Sequence, residues 1–259
     1  MHRTTGTAAA ALALLAGIGM TTGAGAATLQ SIDTGAYVDL GFHTPSSSNF
    51  TTGFTRFEFT DPNGNTLQGE LTFRSFFVFD ISGLGGPVTA ATLTLPASSA
   101  ACDGSTLEST GCYRSDDASE TVAFYDVTTT LSHLTGGSGG TAAFDDLGSG
   151  TSYGSATVSG EADDPMPEVS VTLGAEAVAD LNAAIGAGQS GFAIGAALSS
   201  IVDPGGLGAQ ELWAFSATDE PTQAQLVLHG PPQIPLPASL PLLAAVVGAS
   251  GIVLRRRSA

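Results

Sequence analysis

Few side chains in this sequence stand at spacings that do chemistry. Gly136-Gly137-Ser138-Gly139-Gly140 and Gly150-Thr151-Ser152-Tyr153-Gly154 both fit G-x-S-x-G. A serine nucleophile in that motif needs a buried strand before it and a helix after it. The first match lies in a glycine-rich loop and the second leads into a strand, so both read as chance matches. Gly186-Ala187-Gly188-Gln189-Ser190-Gly191 fits G-x-G-x-x-G. Those glycines cradle a dinucleotide only in the order strand, glycines, helix. Here the order is helix, glycines, strand, and the reading fails.

Metal chemistry has equally thin support. Asp61, Asn63 and Asn65 have the alternate spacing of a calcium loop, but Thr66 stands where that loop needs Gly and Thr72 where it needs Glu. A hairpin turn is the better account. The pairs Asp116-Asp117, Asp145-Asp146 and Asp163-Asp164 fall in predicted loops, where solvated surface is the usual role. Converging loops leave Ca²⁺, held by oxygen ligands, as the one cofactor alternative. His43, His133 and His229 are isolated, with no H-x-H or H-E-x-x-H, so no metal set and no catalytic residue is expected. Tyr113 and Tyr153 are candidates for stacking on sugar rings, and Trp213 for the core. Arg74, mid-strand in a chain with few cations, is expected to pair with Asp80 or Glu58. Cys102 and Cys112 bracket the polar run "CDGSTLESTGC". With no further ligand at metal spacing and no C-x-x-C, a disulfide is the stronger reading.

The elements that position these groups are mostly strands. "FTRFEFT" and "TLQGELTFRSFFVFDIS" flank "DPNGN", whose Asp-Pro start and Asn-Gly pair predict a hairpin. In the second run Leu71, Phe73, Phe77, Phe79 and Ile81 share one face, and Thr72, Arg74, Phe76, Val78 and Asp80 the other. Aromatics on both faces predict a strand well inside a sheet. Further strands are expected at Val88–Leu95, Thr121–Val127, Ser155–Gly160, Glu168–Leu173, Gly191–Leu198, Glu211–Phe215 and Gln223–His229. One helix is expected in "GAEAVADLNAAIGAG", where Val178, Leu181 and Ile185 recur at helical spacing and Gly186 ends the run. The glycine-rich "TGGSGG" and "GSGTSYGSA" read as loops. The expected fold is all-β, a jelly-roll-like two-sheet β-sandwich with one short helix over residues 28–230.

Charge sets the context. The chain of 259 residues has seven Lys+Arg, all of them Arg, against 24 Asp+Glu. Only Arg56, Arg74 and Arg114 lie away from the ends, and no acidic residue precedes Asp33 or follows Glu220. So acidic a body has no basic surface for a phosphate backbone, and no nucleic-acid partner is expected. Residues 1–26 read as an export signal peptide: Arg3, an apolar run from Ala8 to Ile18, and the small-x-small pattern Ala24-Gly25-Ala26, with cleavage after Ala26 or Ala27. Residues 231–259 hold a proline-rich linker, an uncharged run from Pro237 to Leu254 of transmembrane-helix length, and Arg255-Arg256-Arg257. Those arginines are expected to stay cytoplasmic.

The tail "IPLPASLPLLAAVVGASGIVLRRRSA" resembles a VPLPA-CTERM sorting signal, a variant of the PEP-CTERM family. The motif falls on Pro235, Leu236, Pro237 and Ala238, with Ile234 in place of the usual Val. The resemblance implies export through a translocon, an inner-membrane precursor, and recognition by an exosortase-type membrane enzyme. It implies a final place on the cell surface or in the extracellular matrix of a Gram-negative bacterium. "RSFFVFDISGLGGPVTAATLTL" and "GFAIGAAL…LWAFSATDEPTQAQLVL" resemble passages of DNRLRE-type β-sandwich modules. That second likeness rests on core-forming residues and bears on fold more than function. The leading expectation is a non-enzymatic envelope or matrix protein with a structural or adhesive role. The alternatives are a carbohydrate-binding module for exopolysaccharide and, last, a polysaccharide-active enzyme.

The export reading yields one direct expectation. Cys102 and Cys112 are bonded in the exported protein, and non-reducing peptide mapping by mass spectrometry recovers the linked peptides. Two alkylatable thiols would refute it. The closed loop is short, so its reduction costs only modest stability.

Overall fold

The computed structural model describes residues 26–45, 50–95, 113–115, 118–159, 168–201, 210–215 and 224–230. In chain order the strands begin with β1 (Ala26–Val38), β2 (His43–Pro45), β3 (Phe50–Thr60) and β4 (Thr66–Asp80). Next come β5 (Ala90–Leu95), β6 (Tyr113–Arg114) and β7 (Ser119–Asp126). Helices α1 (Leu131–Thr135) and α2 (Gly140–Asp146) follow, then β8 (Ser152–Ser159), β9 (Val169–Thr172) and α3 (Ala175–Gly186). The described chain closes with β10 (Gly191–Leu198), β11 (Gln210–Phe215) and β12 (Gln225–His229). The protein is mostly β, with few helices and a nearly closed antiparallel sheet.

The hairpin forms where "DPNGN" predicts it. Asp61 Oδ1 accepts from the Asn63 and Asn65 backbone N–H groups, each at 2.8 Å, and Gly64 supplies the left-handed conformation at φ 88°. The calcium-loop spacing is thus spent on closing a turn. Beyond Thr55 and Leu71, β3 and β4 pair with each other without a described third strand. There Phe59 faces Leu67 across the ladder, both part exposed, and Arg56 pairs with Glu70 at 2.7 Å. Glu70 is more than half exposed, so the pair contributes about 1 kcal/mol at most.

β4 is the hub. One edge pairs with β1; the other pairs with β3 along its first half and with β10 along its second. At this fork Ser75 is fully buried, donating to the Thr51 carbonyl at 2.8 Å while its oxygen lies 2.7 Å from Thr52 Oγ1. β10 carries the sheet on to β7 and β8, and β3 carries it to β11 and β6. β1 joins two stretches of sheet: its first residues pair with β12, its later ones with β4 and β2. The change comes at a bulge between Ser31 and Asp33 that leaves Ile32 58 % exposed. From β12 the sheet runs through β5 to β9, and the Gly174 N–H reaches back to the Tyr153 carbonyl in β8 at 2.9 Å.

The two-faced reading of β4 holds. Phe77, Phe79 and Ile81 enter the main core with Leu93, Phe124, Ile194 and Leu226. On the opposite face Phe76 and Val78 pack with Tyr37, Leu134, Phe144 and Leu147. That second core is roofed by α1 and α2, which correct the expectation of a single helix. Five and seven residues are too few to show helical periodicity, and neither helix has a side-chain N-cap to announce it. Tyr37 fastens the roof. Its hydroxyl lies 2.8 Å from the Leu134 carbonyl and 2.9 Å from that of His133, and it accepts from Gly139 N–H. The expected helix is α3, tied to the start of β5 by Asn182, whose amide bonds both the N–H and the C=O of Val88.

Arg74 corrects another expectation. It pairs with neither Asp80 nor Glu58. Its guanidinium lies over the Phe144 ring, 4.2 Å from the centroid, and donates to the carbonyls of Phe144 and Asp145. Asp80 instead accepts from Ser82 in the turn that follows. The arginine therefore caps the C-terminal end of α2, where carbonyls lack partners.

Phe77 and Phe79 are both fully buried. Replacing either with Ala is expected to cost about 3–5 kcal/mol in a denaturant titration. A loss below about 1 kcal/mol would contradict the central place of β4.

Candidate functional site

The site grows from one face of α3. Its core side carries Ala177, Leu181 and Ala184. Asp180, Ala183, Ala184 and Ala187 recur at helical spacing on a neighbouring stripe, and three of these four are no larger than a methyl group. Opposite them run the end of β7 and the loop Val127–Thr130 leading into α1. The small side chains leave the two walls apart, and a cleft of about 730 Å³ opens between them. Tyr153 and Phe192 lie at its base, their rings nearly parallel at 13° with centroids 6.1 Å apart. Gln189 and Ser190, on the turn from α3 to β10, are exposed lining residues.

The loop wall is fixed by two aspartates. Asp126 Oδ1 accepts from Thr151 N–H at 2.6 Å. This contact requires glycine at 150: φ there is 93°, and a Cβ would sit 2.3 Å from Asp126 Oδ1. Asp146 receives the N–H groups of Thr128 and Thr129 at 2.9 and 2.7 Å and the Thr128 hydroxyl at 2.6 Å. Burial pushes the Asp146 carboxyl up, but these hydrogen bonds more than offset it and hold it below the ordinary carboxylate value.

On the helix wall Asp180 Oδ2 accepts the Tyr153 hydroxyl at 2.9 Å. Tyr153 is 2 % exposed. Burial first, then the hydrogen bond and charge of Asp180 and the charge of Asp126, push its phenol well above the usual tyrosine range. It stays protonated at neutral pH and serves as a donor. The cleft thus presents two carboxylates, a ring of threonine, serine and glutamine groups, and an apolar base of alanines, Leu131 and Phe192. No Lys, Arg or His is among its lining residues.

Of the residues singled out by sequence, Ala187, Gln189, Ser190 and Gly191 of the G-x-G-x-x-G match line this cleft, and Tyr153 also lies in it, though not as foreseen. Its ring is buried against Phe192 and offers no exposed face for a sugar. Ser152 begins β8 and Ser138 joins α1 to α2, so neither is placed on a strand-to-helix elbow. Gly186 to Gly191 join α3 to β10, in the order helix, glycines, strand, which is not that of the dinucleotide motif. His43 stacks between Tyr37 and Phe76, at 4.9 and 5.8 Å, while burial holds its pKa down against the pull of Asp33. His133 lies in α1 and His229 ends β12. Among the described residues no three His, Cys, Asp or Glu gather as a metal site. The side chains of Tyr113, Arg114 and Trp213 lie outside what the structure describes. So do Cys102, Cys112, Asp116-Asp117, Asp163-Asp164, the leader up to Gly25, Pro235 to Ala238 and Arg255 to Arg257. Ala26 and Ala27, at the expected cleavage point, pair with His229 and Leu228 in the sheet.

Sequence reasoning missed Asp126 and Asp180. The Asp-Ala-Ala-Ala stripe on α3 was the available signal, since small residues on a helix face beside a charge leave room for a ligand. Two outcomes test the geometry. Tyr153→Phe removes a buried hydroxyl and its bond to Asp180, lowering stability by about 0.5–1.5 kcal/mol in urea unfolding. The depressed Asp146 carboxyl contributes stability that is present above the unfolded-state value near 4 and is lost as pH falls through the lower folded value. Asp146→Asn should flatten that acid limb in a pH series of thermal melts; an unchanged limb would refute the role.

No protein-family model and no curated protein matches the chain.

Proposed function

We propose that the chain is an exported, non-enzymatic protein of the cell envelope or extracellular matrix, with a structural or adhesive role. Its body is taken as a jelly-roll-like two-sheet sandwich, the two stretches of sheet joined through the bulge in β1. Two features support the reading: the leader and sorting-like tail in the sequence, and an acidic body with a packed core on each face of β4. The destination follows from the tail alone. Pro235 to Ala238 would mark the processing region, and Arg255 to Arg257 would hold the precursor in the inner membrane. Each arginine opposes insertion by roughly 2.5–3.5 kcal/mol at a helix centre.

The observation that carries the adhesive role is the cleft. Its volume of about 730 Å³ falls in the range of small-ligand sites. Its rim is held in place by Asp126 and Asp146, so little ordering is left to be done on binding. That also favours the second reading, carbohydrate binding, in which carboxylates and hydroxyls take sugar hydroxyls. Two carboxylates in one cleft are the feature a glycosidase would need. Here each already has a duty in the fold, Asp126 to Thr151 and Asp180 to Tyr153, so the pair is assigned to holding a ligand.

Expression in hosts with and without an exosortase tests the destination. The surface form is expected to end near Pro235 to Ala238 only where the enzyme is present, as C-terminal mass spectrometry shows. Recovery of intact Arg257 at the surface of both hosts would mean a plain anchor and would refute sorting.

A further inference from the structure

We infer that the cleft between α3 and the Val127–Thr130 loop binds an amino sugar in its protonated form, with the ammonium held between Asp126 and Asp180. The inference rests on the carbohydrate-binding reading and names the sugar class.

Charge decides it. Asp126 spends Oδ1 on Thr151, and Asp180 spends Oδ2 on Tyr153. Asp126 Oδ2 and Asp180 Oδ1 have no hydrogen-bond partner among the described residues. A ligand filling the cleft strips water from both. A neutral sugar returns hydroxyl hydrogen bonds but leaves two negative charges desolvated, which is costly. A uronic acid adds a third negative charge. An ammonium returns charge-assisted hydrogen bonds to the carboxylates and supplies the charge that a neutral sugar lacks. No Lys or Arg in the lining competes for that place. The base suits the rest of a pyranose. Ala183, Ala184, Ala187 and Leu131 offer a shallow apolar surface to the C–H face of a ring, and Thr128, Thr130, Ser190 and Gln189 surround it with groups that bond hydroxyls. The aromatic rings are turned against each other, so selectivity comes from charge and hydrogen bonds, not from stacking.

Isothermal titration of the exported protein distinguishes the sugar class from the general reading. The probes are tetramers of β-1,4-linked glucosamine, N-acetylglucosamine, glucose and a uronic acid, with spermidine as an amine without a ring. The glucosamine tetramer is expected to bind at least tenfold more tightly than each other probe. Its affinity should fall as salt rises, as a charge-held ligand requires. Asp180→Asn keeps an acceptor for Tyr153 and should weaken the glucosamine tetramer at least tenfold. Ala183→Leu fills the cleft from an exposed helix position and should abolish binding with the melting profile retained. Equal binding of glucose or N-acetylglucosamine would overturn the ammonium assignment while leaving carbohydrate binding in place. Equal binding of spermidine would overturn the sugar assignment. Failure of every saccharide to bind would overturn both.

Discussion

The burial of β4 on both faces is the constraint on which the rest of the structure depends. Phe77 and Phe79 fill one core while Phe76 and Val78 fill the other, and all four are 2 % exposed or less. A strand with four such residues in a row has no face left for water, so something must cover each side. The strands curve round to cover one, and α1 and α2 cover the other. The helices are too short to persist alone. They hold because Tyr37 and Arg74, standing on neighbouring strands, bind the backbone carbonyls at their ends. The polar anchors and the apolar core are thus parts of one arrangement.

The same helical roof fixes the cleft from behind. Asp146 is the last residue of α2, and its carboxylate holds the Thr128–Thr129 backbone that forms one cleft wall. The opposite wall, α3, is pinned by Asn182 to the backbone of Val88, just before β5. Each wall is therefore attached to a different part of the core by side-chain-to-backbone hydrogen bonds. Both attachments are made by the protein's own side chains.

The strands were legible in the sequence because their signal is local. Alternation in "ELTFRSFFVFD", the Asn63-Gly64 turn and the span of β10 need no knowledge of distant residues. Correction came wherever a partner was remote. The sequence points Arg74 to carboxylates near it in the chain, but its partners lie 70 and 71 residues on. Tyr153 reads in the sequence as a candidate for stacking on sugar rings, because nothing nearby in sequence shows that Phe192 and Asp180 enclose it. Asp126 and Asp180 are unremarkable residues until a topology brings the end of a strand opposite a helix. β1 shows the same dependence: the bulge at Ile32 follows only from its having two sets of neighbours.

The alanine stripe of α3 separates two properties that are usually coupled. The width of the cleft is set by Ala183 and Ala187, both exposed, while the helix is anchored through Leu181 and Asn182 on other sides. Side chains can be exchanged at Ala183 and Ala187 without disturbing the packing that keeps the helix in place. Such a scaffold lets selection explore ligands by single substitutions at little risk to folding. Descendants of this fold can therefore differ in what they hold while remaining nearly identical in how they stand.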